Sequence, residues 1–401
     1  MEQTKRMVDT FMAKGFTYFD TAYVYIGGKS EVALKEAVVD RYPRDSFQCA
    51  TKLPFWDMKE PSEMETVFQT SLDRAGLEYY DFYLLHGLNA EVVKKVDAFG
   101  GWDFVKGLKE QGRVKHIGFS FHDTADALEH ILQNHPEMEF VQLQINYVDW
   151  ESESVQSRKC YEVARKYGKS VIIMEPVRGG SLAVMPPQVQ QVFKAAEPEM
   201  SVASWAIRYC ASLDGLITVL SGMSTEEQLN DNVSYMENFK PLDEKEQATV
   251  QQVVDILNSL PTIPCTACKY CVDGCPQKIN IPGVFKAMND LTLYNNKANA
   301  QRDYNNATKE GGKAGDCVQC GACEAHCPPE DPDYRDIEEG CPDLCVSSAI
   351  DIPRPDPWGP AFCILGRGGR GRGEGGKGEK GSGGWKTEFY GIFAFFQITV
   401  L

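Results

Sequence analysis

Between its first residue and about residue 260 the chain sets seven short apolar runs among amphipathic helical patterns, and that alternation commits it to repeated strand-helix units around a parallel sheet. The predicted strands are 16–20, 47–52, 81–86, 116–120, 140–146, 171–175 and 216–221, with helices over 30–41, 63–77, 102–111, 124–134, 155–167 and 201–212. Two further helices, 225–238 and 243–260, finish this part. An eight-stranded α/β barrel of this type occupies about 250 residues and takes its chemistry from the C-terminal ends of its strands. The chain opens directly on a helix, 2–14, so the first strand of a closed barrel is missing from view. A barrel built this way is expected to leave two strand edges open.

The second constraint is covalent. Cys265, Cys268, Cys271 and Cys275 are followed by Pro276, and Cys317, Cys320, Cys323 and Cys327 by Pro328. This doubled run is similar to the signature of bacterial ferredoxins with two clusters, in which three thiolates on a tight turn wrap one cubane and the fourth reaches its neighbour. The resemblance implies two 4Fe-4S clusters held by those eight cysteines. Zinc is the alternative, but it usually takes two separated pairs of ligands, which two identical quartets fit less well. Disulfides need an oxidising compartment, and no signal peptide precedes Met1, so a cytoplasmic location is expected. Of the other six cysteines, Cys49 and Cys210 lie in apolar patterns and read as small buried hydrophobes, Cys160 carries no evident chemistry, and Cys341, Cys345 and Cys363 lie in the tail.

A net charge of −16 argues against nucleic acid as a partner, because that association depends on Lys and Arg displacing counterions. Residues 261–330 are expected to form a small, mainly helical ferredoxin-like domain after the barrel of residues 1–260, with one helix near 281–293 and a polar stretch between the quartets. Residues 331–401 are expected to be a low-complexity, disordered tail, since the glycine-rich stretch 366–384 cannot bury enough surface to order itself. The apolar end FYGIFAFFQITVL is thirteen residues long, too short to span a membrane, and reads as an aggregation hazard.

Four polar residues stand at strand exits of the barrel region. Asp20 ends the first visible strand in FDTAYVYIGGKSE, Tyr25 follows five residues on, Lys52 ends CATK, and His86 ends DFYLLH. Singly each has a plain explanation: a turn cap for Asp20, a packed ring for Tyr25, a snorkelling chain for Lys52, a hydrogen-bonded core imidazole for His86. Together, in this order, they resemble the active-site tetrad of the aldo/keto reductases. The resemblance covers residues 1–260 and extends to GRVKHIGFS, QLQINY and VLSGMSTEEQLNDN; with the cysteines it is similar to the branch carrying a C-terminal dicluster domain.

That resemblance implies reduction of a small aldehyde or ketone by hydride from NADPH or NADH, with Tyr25 as general acid, Lys52 lowering its pKa, Asp20 holding Lys52 and His86 orienting the carbonyl oxygen. Tyr23 competes with Tyr25, and the family spacing selects Tyr25. The resemblance further places the nicotinamide amide near Ser120 and Gln142 and the adenosine end near Gly222, Ser224, Gln228 and Asn232, with Ser224 or Thr225 capping the helix there. Phe121 stands where many members carry Asn. A redox partner protein would meet the clusters. The alternative function is an electron-transfer or partner-binding protein on an inactive barrel.

Overall fold

The computed structural model of the chain describes residues 1–263, 265, 267, 269–325 and 327, and the backbone of Phe393–Gln397. Seven parallel strands follow the sequence order: β1 (Tyr18–Asp20), β2 (Gln48–Pro54), β3 (Tyr80–Leu88), β4 (Val114–Phe121), β5 (Phe140–Gln144), β6 (Ser170–Met174) and β7 (Leu216–Ser221). Each strand pairs with the next, and an eighth, β8 (Phe393–Gln397), lies parallel between β7 and β1 and closes the barrel. Its register sets Phe396 opposite Phe19 on one side and Ser221 on the other.

This corrects the expectation of a barrel left open for want of a first strand. Two unpaired parallel edges offer rows of N–H and C=O groups to any extended segment of strong strand propensity, and the aromatic run 393–397 has that propensity. The expectation of disorder for 331–401 otherwise lies outside the described residues, as do Cys341, Cys345 and Cys363.

The helices of this region are α1 (Glu2–Ala13), α2 (Lys29–Leu34), α3 (Glu63–Ala75), α4 (Ala90–Phe99), α5 (Gly101–Glu110), α6 (Ala125–Asn134), α7 (Ser157–Lys166), α8 (Pro187–Ala196), α9 (Val202–Ala211), α10 (Glu226–Met236) and α11 (Glu244–Ser259). Their starts follow the cap rules: Thr124, Ser201 and Thr225 each accept a backbone N–H of the first turn of α6, α9 and α10. Side chains alternate along a strand, so Tyr18, Phe82 and Phe140 share the barrel interior, Phe82 lying 5.1 Å from Tyr18 and 5.5 Å from Phe140 between ring centroids. One layer up the same alternation delivers Asp20, Lys52, Leu84 and Gln142. The floor is apolar and the polar groups stand on it.

The chain divides into two compact units, the first formed by Met1–Ala183, Gln188–Asp255 and the closing strand, the second by Val184–Pro187 and the segment that starts at Ile256. In the second, α12 (Tyr270–Asp273) and α15 (Ala322–Ala325) lie within the two quartets and pack together, and α13 (Ile281–Tyr294) packs on α14 (Lys297–Ala307). The helix α14 falls in the stretch expected to be merely polar. Asn296 caps it and Ala300 is buried, which anchors a segment whose own composition gives little helical signal. Among the described residues no helix is long and apolar enough to cross a membrane.

Candidate active site and cluster unit

Asp20, Tyr25, Lys52 and His86 come together at the C-terminal end of the barrel. Lys52, wholly buried, donates from Nζ to the Asp20 carboxylate and, at 2.7 Å, to the carbonyl of Thr21. The same ammonium lies 4.8 Å from the Tyr25 ring centroid, and the Tyr25 and His86 rings meet edge to face at 5.7 Å. Burial works against the charge of Lys52, but Asp20 and Tyr25 outweigh it and hold its pKa above the usual lysine value. The ammonium is therefore fixed in place.

Tyr25 departs from the sequence expectation in one respect. Burial, the largest influence, raises its pKa, and the pull of Lys52 offsets only part of that, with Asp20 and Glu175 adding to the rise. The phenol thus rests protonated. Burial lowers His86 to about 2, helped by the charge of Lys52, so its imidazole is neutral at ordinary pH, and its buried Nδ1 has no hydrogen-bond partner.

The loop that presents Tyr25 is held by residues the sequence reading missed. Arg74 donates to the carbonyl of Tyr23 at 3.1 Å and to Glu31 at 3.3 Å, while Thr51, the neighbour of Lys52, donates to Glu31 at 2.8 Å. Glu31 is fully buried. Gly28 sits at φ +84°, which favours glycine, and a Cβ there would stand 2.7 Å from the Arg74 guanidinium carbon and push it aside. One signal was available: Glu31 shares a helical face with Leu34 and Val38, and an acid on an apolar stripe needs a buried partner.

The residues expected to hold the cofactor are arranged as follows. Gln142 is buried, its Oε1 without a partner, which fits an acceptor awaiting an amide N–H; its Nε2 reaches Met174 Sδ at 3.4 Å. Ser120 Oγ accepts from Gly87 N at 2.7 Å. Phe121 is buried beside Phe119 and offers no polar contact. At α10 the cap is Thr225, not Ser224; the Ser224 amide donates to Gln228 Oε1 at 2.7 Å, and Gly222 lies exposed just past β7. Asn232 is buried and its amide is engaged internally, donating to Ser221 and accepting from Tyr235.

In the second unit the quartets repeat a backbone geometry as well as a spacing. The second and fourth residues after Cys265 are Ala267 at φ 57° and Lys269 at φ 67°, and the same places after Cys317 hold Gln319 at φ 54° and Gly321 at φ 72°. Left-handed residues alternating in this way turn successive N–H groups toward one point, a nest for anionic ligands, and the Gln319 amide donates to Cys317 Sγ at 3.4 Å. Cys271, Cys275, Cys317 and Cys323 pack against a small apolar cluster of Ile279, Ile281, Val284 and Ala314, and Cys275, Cys317, Cys320 and Cys323 line one cavity. Thiols lining one cavity beside apolar side chains are the donor type that an iron-sulfur cluster takes, although among the described residues no three of them are gathered closely enough to hold a metal ion. Cys268 lies outside the described residues.

A family model described as the aldo/keto reductase family matches residues 1–255. The chain belongs to that family. A second, described as a 4Fe-4S dicluster domain, matches residues 264–331, so a ferredoxin-like unit follows the reductase-type barrel in the chain. A probable aldo-keto reductase of Glycine max is 35% identical over 116 residues, 27% of this chain and 32% of that protein. An aldo-keto reductase of Mycobacterium tuberculosis is 32% identical over 149 residues, 37% of this chain and 49% of that protein. The chain thus spans about a third to a half of the length of these curated relatives. Among solved structures, an aldo-keto reductase from Klebsiella pneumoniae in complex with NADPH superposes with a TM-score of 0.51 at 17% identity, over 63% of this chain and 85% of that one, a likeness of fold.

Proposed function

We propose that the barrel reduces an aldehyde or ketone with hydride from NADPH or NADH, and that the second unit passes electrons between two 4Fe-4S clusters and a redox partner protein. The observation that carries the first half is the buried Lys52 ammonium, held by Asp20 and the Thr21 carbonyl within 4.8 Å of the Tyr25 ring. When bound, the nicotinamide supplies the hydride. The chain's residues supply the rest.

Tyr25 keeps its proton until needed, because burial raises its pKa. As the substrate oxygen gains negative charge it takes that proton, and the charge left on the phenolate is met by Lys52, whose attraction needs no reorganisation at the moment of transfer. Neutral His86 orients the oxygen by hydrogen bonding. The orphan acceptor of Gln142, with Ser120, suits a carboxamide, and Gly222, Ser224, Gln228 and Asn232 are the proposed contacts of the adenosine end. Cys265, Cys268, Cys271, Cys275, Cys317, Cys320, Cys323 and Cys327 are the proposed cluster ligands; thiols this numerous, and buried Cys49, Cys160 and Cys210, suit a reducing cytoplasm.

Full-length protein purified without oxygen is expected to carry about eight irons per chain and to oxidise NADPH when given an aldehyde. Tyr25→Phe should lower kcat by about 10²- to 10⁴-fold with NADPH binding, followed by fluorescence, unchanged. Full turnover in that variant would overturn the assigned acid, and failure of the wild type to bind NADPH would favour an inactive barrel serving electron transfer.

A further inference from the structure

Two tyrosines stand two residues apart on the loop that follows β1, and a different cation lies over each ring. Lys52 Nζ is 4.8 Å from the Tyr25 ring centroid, and the Arg74 guanidinium carbon is 4.4 Å from that of Tyr23. Arg74 also donates to the Tyr23 carbonyl at 3.1 Å, so it holds both the ring and the backbone of that residue. The Tyr25 amide in turn donates to the Ala22 carbonyl at 3.0 Å, which closes a turn with Tyr23 inside it. Any shift of Tyr23 is therefore passed to Tyr25. Just beyond, Ile26 sits at φ 53°, a conformation that a β-branched residue resists, so the path of this loop needs support from outside it.

That support comes from the last turn of α3. Arg74 lies there, where a cation ordinarily favours the carbonyl groups of its own helix, yet its side chain crosses to Tyr23 and to Glu31 of α2, 3.3 Å away. Glu31 is wholly buried, and its second oxygen accepts at 2.8 Å from Thr51, the residue before Lys52. A buried carboxylate needs its partners, so Glu31 keeps the guanidinium where it grips Tyr23. The near end of the loop is tied separately: the Thr21 hydroxyl donates to Ser30 at 2.8 Å, and the Thr21 carbonyl accepts from Lys52 at 2.7 Å.

We infer that Arg74, braced by Glu31, is a positioning residue that selects between the two tyrosines: by gripping Tyr23 it withdraws that ring from the reaction and holds the Tyr25 ring beside Lys52. The inference rests on the carbonyl-reduction reading above. Transfer to a substrate oxygen is steeply sensitive to placement, and a donor displaced by about 1 Å can lose about a hundredfold in rate.

With benzaldehyde and NADPH as substrates of the full-length, cluster-loaded protein, Arg74→Ala should lower kcat by about tenfold to a hundredfold while NADPH binding, followed by fluorescence, stays unchanged. Guanidinium ion at millimolar concentration should restore much of the loss, since the Arg74 side chain is 27% exposed and the space it leaves opens to water. In the Tyr25→Phe background the same substitution should change the residual rate by less than about twofold, because a residue that acts through Tyr25 has nothing left to position. Equal losses in both backgrounds, or a kcat that Arg74→Ala leaves unchanged, would overturn the inference while leaving carbonyl reduction intact. Should the alanine variant not fold, Arg74→Lys keeps a charge for Glu31, and with one head in place of a fork it is expected to show the same pattern at a smaller factor. A wild type that reduces no aldehyde overturns the carbonyl reading instead, and the positioning role is then decided without turnover. In protein labelled with fluorotyrosine, the fluorine resonance that Tyr25→Phe removes should move in Arg74→Ala and return when guanidinium is added; a resonance that stays in place counts against the role.

Discussion

The barrel and the cluster unit build their sites by opposite routes. Asp20, Tyr25, Lys52 and His86 come from three strands and a loop, and they meet only because β1, β2 and β3 lie side by side in register, with Asp20 two places beyond the Tyr18↔Gln48 pair and Lys52 paired with Leu84. Each cysteine quartet instead lies within a single turn-rich stretch, and its left-handed residues recur at the same two offsets in both copies. A site assembled from distant segments inherits the stability of the whole barrel and can surround its groups with protein. The proposed cluster sites take most of their thiols from one turn-rich stretch and borrow one from the other, as Cys275 lines a cavity with Cys317, Cys320 and Cys323, and Cys265, Cys320 and Cys327 are exposed.

The sharpest way to break this comparison is Lys52→Met. It strands a buried Asp20 carboxylate whose other oxygen already lacks a partner, and such a loss costs about 3–5 kcal/mol. Urea unfolding followed by tryptophan fluorescence should show that loss in the barrel, with turnover abolished and iron content unchanged. A barrel that keeps its stability would mean that Asp20 protonates instead of relying on the lysine.

Next in size is Cys323→Ser. Iron per chain and visible cluster absorbance should fall by about half, while the unfolding midpoint of the barrel stays where it was. Loss of all the iron would show that the two clusters do not assemble independently of each other.

Confined to acid pH, and so smallest near neutrality, is the sensitivity that His86 confers. His86 is held at about 2 in the folded barrel against an ordinary value of 6.5. The unfolded chain therefore binds this proton first, so the contribution of the neutral imidazole to stability is complete above about 6.5 and is lost progressively as pH falls from there toward about 2. His86→Gln should flatten that part of the stability profile in urea melts at a series of pH values, and an unchanged profile would refute the cause assigned to the shift.

The strands were legible because apolar runs and their spacing are local facts, and so were the polar residues that end them. The helix α14 was not, because its burial is supplied by α13 and not by its own polar sequence. Arg74 and Glu31 were hard to see for a similar reason: they lie on different helices, and their pairing exists only once α2 and α3 pack together.

The amino-acid order by itself determined which chemistry the chain carries: a phenol, an ammonium, a carboxylate and an imidazole at strand exits, and eight thiols at cluster spacing, since residue type and short-range spacing survive without any fold. Tertiary structure alone decided that residues 393–397 complete the barrel beside residue 19, and that burial outweighs a neighbouring charge at Tyr25. Both depend on segments far apart in the chain excluding water from one place, and no local pattern encodes that.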